Sequence, residues 1–165
     1  MSAVGERTFS APPSLVGEDA SSFKVEDLQL GWRSGKAVGS GDNVLEFTVG
    51  RAQYQLGHGL LLWDGAAEGG TRGGYWSNVR KAFAFAAIGR FKPGHHTLEA
   101  FYLDKDDLPE ADTGSRLWGA NYQYAIGEDT TLGATYMKWY AHRDVKPQRD
   151  GLNVYNLRAL PPSRT

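Results

Sequence analysis

Polarity alternates with period two in run after run along this chain, the pattern of strands whose two faces meet different surroundings. From Phe23 onward seven such runs can be marked: 23–33, 44–53, 79–90, 97–103, 117–126, 131–141 and 152–157. Consecutive strand side chains point to opposite sides, so parity assigns the faces. In the fifth run Trp118, Ala120, Tyr122, Tyr124 and Ile126 share one side, and Gly119, Asn121 and Gln123 the other. Leu132, Ala134 and Tyr136 oppose Thr131, Gly133 and Thr135 in the sixth. Leu45, Phe47 and Val49 oppose Glu46 and Thr48 in the second, and Leu98, Ala100 and Tyr102 oppose Thr97 and Glu99 in the fourth. One face is apolar and aromatic, the other rich in amides and hydroxyls. Arg51 and Lys138 fall on the apolar parity, which a bulge or a strand end beside each would reconcile. A helical reading is disfavoured by the 21 glycines among 165 residues, each costing a helix interior about 1 kcal/mol.

Connections between the runs add direction. Residues 91–95, Phe-Lys-Pro-Gly-His, and 127–129, Gly-Glu-Asp, suit tight hairpins. Residues 57–78, 104–115 and 143–150 are longer. Tight and long connections therefore alternate, which puts the tight turns at one end of an antiparallel meander and the long loops at the other. That is the layout of outer-membrane barrels. The fold class expected is all-β, an antiparallel up-and-down meander forming part of a transmembrane β-barrel. Residues 1–22, rich in Ser, Ala, Pro and Gly without periodicity, read as a mobile N-terminal segment or loop, 23–160 as the partial barrel domain, and 161–165 as a tail. Trp32, Trp118, Tyr124, Trp139 and Tyr140, near strand ends, suit the aromatic girdles of membrane interfaces.

Several classes of function fall away on composition. The chain has no cysteine, so thiolate metal sites, disulfides and cysteine nucleophiles are excluded. A formal net charge of −1 with dispersed Lys and Arg argues against nucleic acid as a partner. The stretch free of Asp, Glu, Lys and Arg from Ala52 to Trp63 falls short of the ~18 residues of a spanning helix. Glu6 and Arg7 stand where a secretory signal would place its apolar core, so no export signal is expected at this start. The four histidines have no zincin spacing, and Asp104, Asp106 and Asp107 lack the glycine of a calcium loop, so no metal and no cofactor is expected. The glycine-rich 65–74 lacks the Lys-Ser/Thr ending of a phosphate loop, and no nucleophile elbow appears, so the chain is not expected to be an enzyme.

A stretch of about 40 residues resembles a known family. Val49-Gly50-Arg51-Ala52-Gln53, then Gly57-His58-Gly59 and Trp63, then Tyr75-Trp76-Ser77-Asn78-Val79-Arg80 are similar to the glycine, arginine and tryptophan segment of the alginate-export family of outer-membrane porins. Ala52 interrupts the family's Arg-Gln pair. The resemblance implies a Gram-negative outer-membrane channel for small solutes, anionic or carbohydrate, with membrane lipid and solute as partners. Family members are larger barrels, so a partial member is expected.

Such a channel needs no covalent chemistry, since selectivity comes from the groups lining the path. The pore-lining candidates are Glu46, Arg51, Arg80, Arg90, Glu99, Arg116, Asn121 and Gln123. The arginines would attract carboxylates, and the two glutamates would balance them. The alternative is a soluble lipocalin-like barrel that binds an apolar ligand against Phe83, Phe85, Phe101 and Tyr122.

Overall fold

The computed structural model describes residues 1–7, 21–39, 41–57, 59, 61–63, 65, 80–108, 112–127 and 130–160. Those residues form eight strands: β1 (Ser2–Arg7), β2 (Ser21–Arg33), β3 (Leu45–Ala52), β4 (Phe83–Phe91), β5 (His96–Asp104), β6 (Arg116–Ile126), β7 (Thr130–Tyr140) and β8 (Asn153–Leu160). They lie in one up-and-down antiparallel sheet in sequence order, β1 to β8. The order is linear, and the sheet is not closed.

Seven of the strands fall on the seven alternating runs. The eighth, β1, lies in the segment expected to be mobile and pairs with β2 from Ser2↔Asp27 to Arg7↔Ser21. Its partner supplies the order that its own six residues do not encode. The glycine-rich 66–74, the tail at 161–165 and most of the N-terminal segment lie outside the described residues. The turn between β4 and β5 is tight, closed by His96 N donating to Pro93 O at 3.1 Å.

Parity predicts the faces correctly, and burial shows what each meets. Trp118, Ala120, Tyr122, Tyr124 and Ile126 of β6 are exposed, while Leu117, Gly119 and Asn121 between them are buried. In β5 Leu98, Ala100 and Tyr102 are exposed, and Glu99, Phe101 and Leu103 are buried. Leu45 and Phe47 of β3 and Tyr155 and Leu157 of β8 repeat the pattern, with Glu46 and Asn156 withdrawn. Large apolar side chains and rings thus stand on the exposed face, while the withdrawn face mixes buried polar groups such as Glu99 and Asn121 with Phe101, Leu103 and Leu117.

Contacts divide the chain into two compact units. The first comprises 1–29, 50–86 and 103–115, the second 30–49, 87–102 and 116–165. The first buries Tyr54, Leu56, Leu62, Ala82, Phe83 and Leu103. In the second, Phe101, Leu117 and Met137 are buried at one end of their strands. There β6 and β7 pair without a break from Arg116↔Tyr140 to Ile126↔Thr130.

Candidate functional site

In the first unit the sequence delivers four charges to one place through two irregularities of the backbone. Glu26 shares the parity of the exposed Leu28, yet it is buried. The register shifts opposite it, since Ser2 pairs with Asp27 and Ala3 with Val25, so Glu26 is the extra residue of a bulge and turns inward. Arg51 is brought in by Gly50, whose φ of 133° lies where L side chains rarely go. A Cβ at Gly50 would collide with the Leu28 carbonyl oxygen and stand 2.9 Å from the Gln29 Cα. The irregularity that reconciles Arg51 with the apolar parity is therefore a property of its glycine neighbour.

These charges satisfy one another. Glu26 Oε1 accepts from the backbone nitrogens of Lys81 and Ala82 at 2.6 and 2.8 Å, and its Oε2 accepts from Arg80 Nε at 3.4 Å. Asp106 Oδ2 accepts from Arg80 Nη2 at 2.5 Å and from Arg51 Nη2 at 2.8 Å. The Arg80 side chain is 2% exposed and that of Glu26 5%, so this is a desolvated two-by-two network. Its formal charge cancels, and the carboxylates anchor both guanidinium groups. Of the acidic run, Asp107 is also engaged, accepting from Thr113 N at 3.0 Å.

The second unit carries the larger share of the predicted site residues. Arg90 of β4 donates to Glu99 of β5. Glu46 accepts from Lys92 Nζ at 2.8 Å, and Arg33 stands 3.8 Å away. Beside these pairs Asn121 Oδ1 accepts from Thr135 Oγ1 at 2.9 Å and from Arg158 Nη2 at 2.5 Å, while Arg158 Nη1 donates to Thr135 Oγ1 at 2.5 Å. Gln123 lies two residues from Asn121 on the same face, half-buried. A charged group and an amide–hydroxyl–guanidinium group, each internally hydrogen-bonded, thus stand in the second unit.

One candidate belongs elsewhere. Arg116 is exposed and shares its face with Trp118, Ala120 and Tyr122, opposite to Asn121. The unbroken register of β6 forbids turning it inward, and this corrects its place among the lining candidates. Trp139, expected at an aromatic girdle, has the parity of the buried Met137, and the Arg149 guanidinium carbon lies 5.8 Å from its ring. The four residues of the apolar-ligand alternative separate by face: Phe83 and Phe101 are buried, Phe85 and Tyr122 exposed.

Sequence reasoning missed Glu26, Lys92, Asp106, Thr135 and Arg158 as site residues. Arg158 was legible, because extending the alternation Tyr155, Asn156, Leu157 by one step places it beside Asn156. Glu26 was not, since parity points it the wrong way until the bulge is known.

No family model matches the chain, and neither a curated protein nor a solved structure matches it.

Proposed function

We propose that this chain is part of an outer-membrane β-barrel channel through which small solutes, anionic or carbohydrate, diffuse. The observation that carries this reading is the exposed face of Leu, Phe, Trp and Tyr on β3 and β5–β8, over a withdrawn face on which Glu99, Asn121 and Thr135 are buried beside Phe101, Leu117 and Met137. In a bilayer the outward side chains replace water with lipid, and the polar face surrounds the aqueous path. The connection 34–44 between β2 and β3 is a long one and departs from the pattern, but from β3 to β8 tight and long connections alternate, which supports the same reading. So does strand length, because β6 and β7 have 11 residues each, and transmembrane strands take about 9–11. At about 3.4 Å per residue and a tilt of about 45°, such a strand rises roughly 26 Å, close to the ~25 Å apolar band of these barrels.

In this reading the groups around Arg90, Glu99, Asn121, Thr135 and Arg158 line the solute path and offer paired donors to carboxylate or hydroxyl oxygens. The Glu26–Arg51–Arg80–Asp106 network fastens the strands of the first unit at the base of their long connections. A bilayer leaves no backbone group unsatisfied, so the outer edges of β1 and β8 pair with each other or with further strands. The chemistry requires no catalyst, and the resemblance of 49–80 to alginate-export porins agrees with a carboxylated solute.

Spin labels at Tyr122 and Gln123 in the chain folded into vesicles test the reading. The label at 122 is expected to be relaxed by dissolved oxygen and the label at 123 by a water-soluble nickel chelate. The reverse pattern, or recovery of a soluble monomer without detergent, sinks it.

A further inference from the structure

We infer that the connection between β7 and β8 is an oxyanion-binding mouth of the solute path, where Arg149, stacked on Trp139, and Lys146 hold a carboxylate or phosphate group; this rests on the channel reading above and names its charge-selecting residues. Most arginines singled out from the sequence add no net charge to a path. Arg51 and Arg80 are balanced by Glu26 and Asp106, and Arg90 by Glu99. Lys92 is balanced by Glu46. A cation that draws in anions has to lie outside such pairs. Among the described residues, no carboxylate pairs with Arg149 or Lys146.

The connection 141–152 is built of successive turns that hold both. His142 O accepts from Val145 N at 3.0 Å and Lys146 N at 2.8 Å, Lys146 O from Arg149 N at 3.0 Å, and Arg149 O from Leu152 N at 3.2 Å. Its ends are fastened by Trp139 N donating to Leu152 O at 2.8 Å and Gly151 N donating to Trp139 O at 3.0 Å. Arg143 Nη2 and Asp150 Oδ2 pair across it at 3.2 Å. That pair cancels, leaving Lys146 and Arg149 against Asp144. A turn closed between residues three apart brings their Cα atoms within about 7 Å, so the Lys146 and Arg149 side chains start from neighbouring points.

Trp139 supplies the platform. It has the parity of the buried Met137, and its indole nitrogen is buried, so the ring is presented by its face. The Arg149 guanidinium carbon lies 5.8 Å from the centroid of that ring. Stacking engages the face of a guanidinium and leaves its edge, where the N–H groups point, to an oxyanion. It also restrains a long side chain in advance, which lowers the entropy lost on binding. Trp139 stands at the end of β7 beside a long connection and on the withdrawn side, so Arg149 belongs to the mouth of the proposed path.

Two measurements on the full chain in phosphatidylcholine membranes test this. In the first, inorganic phosphate and, separately, acetate are titrated at constant ionic strength while tryptophan emission is followed. The wild type is expected to respond saturably, and Arg149→Gln should bind roughly tenfold more weakly, the worth of one charge-assisted hydrogen bond. Arg149→Lys should be intermediate, and Trp139→Phe should silence the emission change. Arg143→Gln/Asp150→Asn removes a cancelling pair from the same connection and should bind as the wild type does. A response to only one of the two anions assigns the site to that class of oxyanion. The second measurement is the reversal potential under a potassium chloride gradient, where Arg149→Gln should lower chloride permeability relative to potassium several-fold. No saturable response in the wild type, or one that Arg149→Gln leaves unchanged, overturns the site, and a conducting pore then keeps the channel reading standing. Anion binding that depends on Arg149 in a chain that forms no conducting pore upholds the site and overturns its place at a channel mouth.

Discussion

Gly50 shows how much one residue controls. Its φ of 133° turns the end of β3 so that Arg51 meets Asp106, and no side chain fits against the Leu28 carbonyl. Gly50→Ala is expected to destabilise the chain by roughly 1–3 kcal/mol of backbone strain and to displace Arg51; urea unfolding followed by tryptophan emission measures the first effect. Glu26→Gln keeps an acceptor for the Lys81 and Ala82 nitrogens but removes the charge facing Arg80. Because both side chains are buried, leaving one charge uncompensated should cost about 3–5 kcal/mol. A double variant Glu26→Gln/Arg80→Gln should cost less than the sum of the singles, which a double-mutant cycle reads directly. Gly133 presents a further close approach: a Cβ there would lie 2.9 Å from the Arg158 guanidinium carbon, so the residue that reaches Asn121 packs over a bare backbone.

At the scale of elements, β6 and β7 carry the argument, because their eleven paired positions leave no freedom to exchange faces. A slip of one residue would bury Tyr122 and expose Asn121, so the two surroundings of the sheet fix the register. Ala120 is exposed at the middle of β6. If lipid covers this face, Ala120→Arg should cost about 2–4 kcal/mol in a chain folded into vesicles. On a surface facing water the same change stays within about 0.5 kcal/mol. Unfolding from vesicles at fixed lipid composition separates the two magnitudes. β1 teaches the converse lesson. Its short Ser-Ala-Val-Gly-Glu-Arg stretch has no pattern of its own and becomes a strand because β2 offers an edge.

For the whole molecule, the proposed channel carries a prediction about ion selectivity. If the withdrawn groups of the second unit line the path, Asn121→Asp adds one negative charge to it. At about 10 Å from a solute in water that charge is worth about 0.4 kcal/mol against an anion and as much in favour of a cation, so anion permeability relative to cation should fall roughly fourfold. Reversal potentials across a planar bilayer with a salt gradient measure it. The strands after residue 22, their antiparallel order and the faces of β3 and β5–β7 were readable from the chain, because period-two alternation is a local property that one strand carries alone. The same rule puts Asn121, Gln123, Glu46 and Glu99 on the face that the structure withdraws. The partners were beyond it. That Asn121 meets Arg158 across β7, and that Asp106 gathers Arg51 and Arg80, depend on how segments distant in sequence pack. Alternation by itself determined which side chains share a face; only the tertiary structure decided which face is withdrawn, and where a bulge at Glu26 and a glycine before Arg51 reverse the parity. Parity is set by the backbone of one residue and the next, whereas burial and pairing are set by what packs across the sheet.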